Sequence, residues 1–147
     1  MGDRVTVKII IPTLFQSEFE AAIGDCLEDE KDFGNQISEC GVPLECYVFH
    51  EIDEGILEFE SDLKTLKIPH SIFWDGGSGF EAGESHFRIN SNNEVQWRKF
   101  GAGKAGVIDF IEVVKANADG SLQKLLNDHE ESYGVISWFD QVNFLKG

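Results

Sequence analysis

Residues 4–28 read RVTVKIIIPTLFQSEFEAAIGDCLE, and the period of the hydrophobic pattern changes at Pro12. Before Pro12, alternate positions are apolar, namely Val5, Val7, Ile9 and Ile11. This two-residue period is typical of a strand with one buried face. After Pro12 the apolar residues recur at helical spacing, namely Phe15, Phe19, Ala22, Ile23, Cys26 and Leu27. The pattern predicts a strand over 4–11 and a helix over about 13–28.

The middle of the chain continues this mixture of strands and helices. We predict further strands over 44–52, 68–74, 80–90 and 95–100. Between the first two, a helix is indicated by the spacing of Ile56, Phe59, Leu63 and Leu66, with a strand over 56–59 as the competing interpretation. The polar turn SNNE at 91–94 predicts a hairpin between the last two strands. Residues 30–41 are polar and rich in turn formers, and we interpret them as a loop.

The last third of the chain is helical in character. Three groups of apolar residues recur there at helical spacing, namely Val107 to Val114, Leu122 to Leu126 and Val135 to Val142. Breaks are expected at Asp119-Gly120 and at Gly134.

This order of elements predicts an α+β fold and a single domain over 1–147, a length that closes a hydrophobic core without disulfides. The expected architecture is an antiparallel or mixed sheet of about five strands with helices packed on one side. A helical C-terminal extension follows. The order of the first elements would suit a ferredoxin-like sandwich.

Net charge is the strongest global property of the sequence. The chain has 27 Asp and Glu against 12 Lys and Arg, for a formal charge of −15. Such a surface repels nucleic acid and anionic membranes, so direct nucleic-acid binding is disfavoured. A partner with a basic surface, by contrast, would be attracted at long range.

The sequence carries no signal for export or membrane insertion. The N-terminus has no apolar segment of signal-peptide length, and no stretch approaches the length of a membrane span. The cysteines are few and odd in number, namely Cys26, Cys40 and Cys46, which argues for a reducing compartment. We therefore expect a cytoplasmic protein that does not bind membranes.

Two acidic stretches are the candidate partner-binding residues. The first begins on the predicted helix with Glu18, Glu20 and Asp25 and ends with the candidates Glu28, Asp29, Glu30 and Asp32. The second contains the candidates Glu51, Asp53, Glu54, Glu58, Glu60 and Asp62. Carboxylates one helical turn apart, at about 5.4 Å, approximate the row of phosphates along a DNA strand, at about 3.4 Å. Such arrays can occupy a DNA-binding cleft by imitation. Ordinary solvated helix surface is the alternative interpretation.

These observations favour a small acidic protein that binds and inhibits a nucleic-acid-acting protein, such as a nuclease, a restriction enzyme or a CRISPR effector. In composition the chain resembles the acidic antirestriction, anti-CRISPR and toxin-immunity proteins of bacteria and phages. No functional residue is carried over from that likeness. On this hypothesis the chain is not an enzyme and uses neither a metal nor a cofactor.

The alternative is a small ligand-binding domain or enzyme that uses glycine-rich turns. The turns are at 76–83 and 101–106, and Phe73, Trp74, Phe80 and Trp97 would wall the pocket. The segment GAGKAG at 101–106 matches a dinucleotide fingerprint, but the strand before it is half polar. Residue types of a hydrolase triad occur at His70, Asp75, Ser78 and His86, without the required G-x-S-x-G turn.

A locally basic spot is predicted on the hairpin. His86, Arg88 and Asn90 share one strand face, and Gln96 with Arg98 can lie beside them. We interpret this face as exposed to solvent. The alternative is that Arg88 and Arg98 contact an anionic group of a partner.

Two further clusters of residues are weaker candidates for a functional site. Cys40, Cys46 and His50 offer three soft metal ligands, but their spacing is not that of a zinc knuckle, so Cys46 is favoured as a core residue. Trp138, Phe139 and Phe144 could form an oligomer contact or close the core.

Overall fold

The computed structural model describes residues 4–24, 31–53, 57–102 and 107–146. The strands are β1 (Arg4–Pro12), β2 (Lys31–Glu39), β3 (Val42–Asp53), β4 (His70–Trp74), β5 (Gly83–Ile89) and β6 (Val95–Gly101). The helices are α1 (Gln16–Ile23), α2 (Glu60–Thr65), α3 (Phe110–Asp119), α4 (Leu122–Tyr133) and α5 (Trp138–Lys146), and a short 3-10 helix at Thr13–Phe15 leads into α1. The predicted α+β class is confirmed, with six strands described where about five were expected.

The six strands form one sheet in the order β2-β3-β1-β4-β5-β6, and every neighbouring pair is antiparallel. The first four strands and two helices follow the order βαββαβ, with β1 and β3 adjacent in the middle. This is the ferredoxin-like arrangement that the sequence suggested. The β5–β6 hairpin extends the sheet beyond β4.

One face of the sheet, here called the first face, carries the main hydrophobic core. Val7, Ile9 and Ile11 of β1 are fully buried there beneath α1 and α2. The Phe19 ring of α1 packs edge-on against the Phe59 ring just before α2, with 6.0 Å between centroids. The alternating residues that predicted β1 are therefore the residues on which α1 and α2 pack.

The opposite face, here called the second face, is covered by the C-terminal helices. Trp138 and Val142 of α5 are buried against Val42 and Leu44 of β3, and Ile10 of β1 packs with them. Because Ile10 alternates with Ile9 and Ile11, α5 lies on the side of the sheet opposite α1 and α2. The predicted helical extension thus forms a third layer.

Gln141 of α5 completes the sheet next to His70, where β4 begins. Its amide oxygen accepts from Ile89 N at 2.7 Å and its amide nitrogen donates to Ile89 O at 2.8 Å. The side chain is fully buried. A helix side chain therefore satisfies the backbone groups that a longer β4 would have paired.

The loop expected at 30–41 is wrong, because residues 31–39 form the edge strand β2. Glu39 pairs with Val42, so Cys40 and Gly41 form a two-residue hairpin turn. Their φ angles are 50° and 80°, as in the type I′ turns that suit such hairpins. The segment was missed because an edge strand needs no alternating apolar pattern, and KDFGNQISE is largely polar.

The first helix ends at Ile23, before Gly24, and not at about 28 as predicted. The turn at 91–94 and the helix ends near 120 and 134 are confirmed. In the β5–β6 turn, the Asn90 side chain accepts from the backbone N–H groups of Asn92 and Glu94, each at 2.9 Å. Gly120 ends α3 in a left-handed conformation with φ of 83°, and Gly134 follows the end of α4.

Candidate functional site

The acidic stretches are distributed over different elements. Glu28, Asp29, Glu30 and Glu54 lie outside the described residues. Asp32 belongs to β2, while Glu51 and Asp53 belong to the end of β3, and the positions of these three side chains lie outside the described part. Glu58 precedes α2, and Glu60 and Asp62 lie in its first turn. The second array is therefore divided between a strand and a helix.

Among the described residues, an acidic surface is formed by α1 and α2. These helices are in contact on the first face. The exposed or partly exposed carboxylates of this region are Glu18 and Glu20 on α1, Glu58 just before α2, and Glu60 and Asp62 on α2, and Glu20 also accepts from the Tyr47 hydroxyl at 3.1 Å. We call this set the α1–α2 acidic face. Its floor is rigid, because Phe19 and Leu63 anchor the two helices in the core.

Few cations oppose this surface. The α1 sequence QSEFEAAI has no basic residue, and Lys64 is the one basic residue of α2. Lys64 Nζ lies 3.4 Å from Glu60 Oε1 and 4.0 Å from the centroid of the Trp97 ring, so it leans toward β6. The carboxylates of Glu18, Glu58 and Asp62 are left to dominate the local field.

Arg88 is buried, with only 3% of the residue exposed. Its Nε donates to Ile136 O at 2.9 Å, its Nη1 donates to the carbonyls of His70 and Phe87, and its Nη2 donates to Ser71 Oγ at 2.9 Å. The guanidinium carbon lies 3.6 Å from the centroid of the Trp138 ring. These contacts join β4, β5 and α5.

The interpretation of this spot as a solvated sheet face is therefore wrong for Arg88 and for His86, which is also buried. The face is covered because α5 packs on it. As a contact for a partner's anion, Arg88 would have to give up donors that the chain itself uses. Arg98 is more accessible, yet its guanidinium donates to the backbone carbonyls of Gly134 and Glu131 at the end of α4.

Ser71 connects Arg88 to His86. Ser71 Oγ lies 2.7 Å from His86 Nδ1 and also accepts from Arg88. Glu84 Oε1 lies 3.8 Å from His86 Nε2, too far for a hydrogen bond. Burial and, to a smaller extent, the Arg88 charge lower the pKa of His86 to about 4 against the opposing effect of Glu84. A neutral imidazole next to a hydroxyl resembles a catalytic pair, but Ser71 is 2% exposed and its hydroxyl is already engaged by both His86 and Arg88.

His70 is a second buried histidine, on the first face. Its ring stacks on Phe87 with 5.2 Å between centroids, and its Nδ1 lies 2.7 Å from Ile68 O. Burial lowers the pKa of His70 to about 4, with the Ile68 carbonyl opposing and the Arg88 charge adding to the effect. His70 is therefore a core residue.

The residues expected to wall one pocket do not share a side of the sheet. Phe73 and Trp74 are adjacent in β4, so they point to opposite faces. Phe73 packs near Lys8 and His86, whereas Trp74 lies near Lys99. Residues 103–106 of the GAGKAG segment lie outside the described residues. Phe73 and Trp74 therefore cannot wall the same pocket.

The candidate metal ligands are spread along the β2–β3 hairpin. Cys40 is an exposed turn residue, Cys46 is half-buried in β3, and His50 Nδ1 lies 3.4 Å from Thr6 Oγ1. Burial raises the pKa of the Cys46 thiol, which suits a packed residue. Within the described ranges, no group of three His, Cys, Asp or Glu side chains is placed to hold a metal ion.

Sequence reasoning missed a cleft between β6 and the α3–α4 helices, with a volume of about 710 Å³. It is lined by aromatic rings and carboxylates, chiefly Phe100, His129, Tyr133, Asp109, Glu112 and Asp128. The rings of His129, Tyr133 and Phe100 follow one another at 4.7 and 6.0 Å. No local sequence motif predicts this cleft, because its walls come from three separate elements of secondary structure.

None of the helices in the described ranges combines the length and the hydrophobicity that crossing a bilayer requires. Comparison with known proteins found no matching family model, no matching curated protein and no matching solved structure.

Proposed function

We propose that this chain is an acidic binding protein that inhibits a nucleic-acid-acting protein, such as a nuclease, a restriction enzyme or a CRISPR effector, by occupying its basic surface. The observation that carries the proposal is the α1–α2 acidic face. This face gathers five of the chain's 27 acidic residues on and next to two helices that are anchored in the core. Catalysis is not part of the proposal, and we assign the binding to the cytoplasm.

Rigidity supports this role because a mimic must present its charges without losing much conformational entropy on binding. Phe19 and Leu63 are fully buried, so the backbone that displays Glu18, Glu58 and Asp62 is fixed by the core. A basic nucleic-acid channel would meet these carboxylates as it meets phosphates. Association is expected to be fast at low salt and to weaken as salt rises.

Localisation rests on the thiols. Cys40 and Cys46 are free cysteines, with Cys40 exposed in its turn. An exposed thiol is compatible with a reducing compartment.

The test uses the tagged chain to capture proteins from a bacterial lysate at low salt, followed by elution with high salt and identification by mass spectrometry. The captured protein is then purified, and its nucleic-acid activity is measured with and without the chain. The informative variant combines Glu18→Gln, Glu58→Gln and Asp62→Asn. We expect it to lose both capture and inhibition, because only exposed charges are removed.

A matched control removes three exposed carboxylates elsewhere, through Glu81→Gln, Glu94→Gln and Asp140→Asn. This control should retain binding and inhibition, since it removes the same amount of negative charge but spares the acidic face. Equal losses of capture and inhibition in the two variants would mean that net charge alone, and not the acidic face, accounts for binding. Full inhibition by the first variant would refute the proposal.

As a second candidate we propose a small-ligand site in the cleft beside β6, because the His86/Arg88 face of the earlier alternative is buried. Its carboxylates Asp109, Glu112 and Asp128 together with the Tyr133 ring favour a cationic ligand over a nucleotide. Thermal shift with spermidine and with AMP distinguishes these classes. Stabilisation by spermidine that Glu112→Gln with Asp128→Asn abolishes would support this candidate.

A further inference from the structure

One side of α3 is apolar and faces solvent. Phe110, Ile111 and Val114, here called the α3 stripe, are spaced by one and three residues and so lie on one side of the helix. Their exposed fractions are 78%, 62% and 50%. Val107, just before the helix, is 52% exposed. The helical periodicity of these residues would ordinarily indicate a face packed on a core.

The helix packs on the chain through a different side. Ala116 is buried and Val113 is half-buried, and the neighbour of α3 is α4. The helix itself is well formed, because the Asp109 side chain accepts from Ile111 N at 2.8 Å and caps its start. Among the described residues, therefore, the stripe is displayed on a capped helix with no covering element.

The charges around the α3 stripe indicate which kind of partner segment can bind there. The segment from Asp109 to Glu131 exposes six carboxylates against Lys115 and Lys124. Large apolar side chains that are contiguous and exposed mark interaction surfaces, whereas single ones do not. An apolar stripe within an acidic surround is complementary to a segment that combines apolar residues with lysine or arginine.

We propose that the α3 stripe docks a cationic amphipathic helix of a partner protein. The partner's apolar residues pack on Phe110, Ile111 and Val114, and its basic residues meet the carboxylates of α3 and α4. This inference goes beyond the proposed function, because the α1–α2 acidic face lies on the other side of the sheet. A second copy of the chain would bring another charge of −15 to the same place, which like-charge repulsion opposes.

The experiment uses the full chain and a defined probe. The probe is a fluorescent peptide of leucine and lysine, about 18 residues or five helical turns long, with leucine on one helical face. A scrambled peptide of the same composition, without such a face, reports charge attraction alone. Fluorescence anisotropy should show the patterned peptide binding about tenfold more tightly than the scrambled one.

A double variant, Phe110→Ser with Ile111→Ser, should bind the two peptides equally, since the apolar anchors are gone and the charges remain. Both side chains are exposed, so the fold should persist, and circular dichroism verifies this. The matched control is Phe139→Ser on α5, where the phenylalanine is similarly exposed at 53%. This control and the Glu18→Gln, Glu58→Gln, Asp62→Asn variant should keep the preference, which separates this inference from the proposed function.

Three results would overturn the inference. The wild-type chain could bind both peptides equally, or the double variant could keep the preference. Alternatively, light scattering could show a dimer that the double variant converts to a monomer, in which case a second copy covers the stripe.

Discussion

The two faces of the sheet are closed by different physical means. On the first face, Phe19 and Ile23 of α1 are essentially inaccessible and pack on a continuous apolar core. On the second face, the cation of Arg88 is held by carbonyl groups and by the Trp138 ring, and α3 beyond it leaves its apolar side in solvent. Apolar periodicity therefore predicts that a helix exists, but not that its own chain covers it.

The largest expected effect tests this contrast directly, with two Phe→Ala substitutions. Phe19→Ala should destabilise the fold by about 3–5 kcal/mol, because it leaves a cavity between the Tyr47 and Phe59 rings. Phe110→Ala should change stability by less than about 0.5 kcal/mol, since the side chain is already in solvent. Urea unfolding of both variants measures the difference. Similar losses would mean that the stripe is packed after all.

The next effect sharpens the account of the second face. Arg88→Ala should cost about 3 kcal/mol, because the carbonyls of His70, Phe87 and Ile136 lose a donor and the Trp138 ring loses its partner. Arg88→Lys should recover little, since an ammonium cannot reach the same acceptors at once. Urea unfolding monitored by tryptophan fluorescence is the measurement. A stability equal to wild type for Arg88→Ala would show that α5 is held by apolar contacts alone.

A smaller effect depends on pH and involves both faces. Burial lowers the pKa of His70 and of His86 to about 4, whereas an unfolded histidine titrates near 6.5. Between these values the unfolded chain binds more protons, so stability that is present above pH 6.5 is lost as the pH falls toward 4. For His70 the loss is about 2–3 kcal/mol.

The variant His70→Phe isolates this contribution, because it keeps the stack on Phe87 without the titrating group. Urea unfolding at several values between pH 7 and pH 4 should show a shallower loss for the variant than for wild type. Parallel curves would mean that other groups govern the acid response.

Most of the fold was predictable because its elements carry local signals. The alternation in β1, the SNNE turn and the glycine at 120 each act over a few residues. The contacts that organise the second face are different, since Arg88 meets Trp138 and Gln141 meets Ile89 about fifty residues away. The strand pattern assigns Arg88 to one face of the sheet, but only the position of α5 decides whether that face is exposed to solvent.

The candidate site divides in the same way. Composition predicts an acidic surface, and α1 and α2 display one. The sequence could not predict the cleft at Phe100 and Tyr133, because its walls converge from β6, α3 and α4. Nor could it predict that Phe110 stays exposed, since a helical period is the same whether or not a partner element is present.

The polar character of β2 has a consequence for the behaviour of the chain at high concentration. A strand at the edge of a sheet offers unpaired backbone groups to other molecules, and natural sheets discourage this pairing with charged residues at their edges. The sequence KDFGNQISE places charges at both ends of β2, and β6 at the opposite edge carries Arg98 and Lys99. The polar residues that leave β2 without an alternating apolar pattern are therefore of the kind that disfavours pairing between the edges of two sheets.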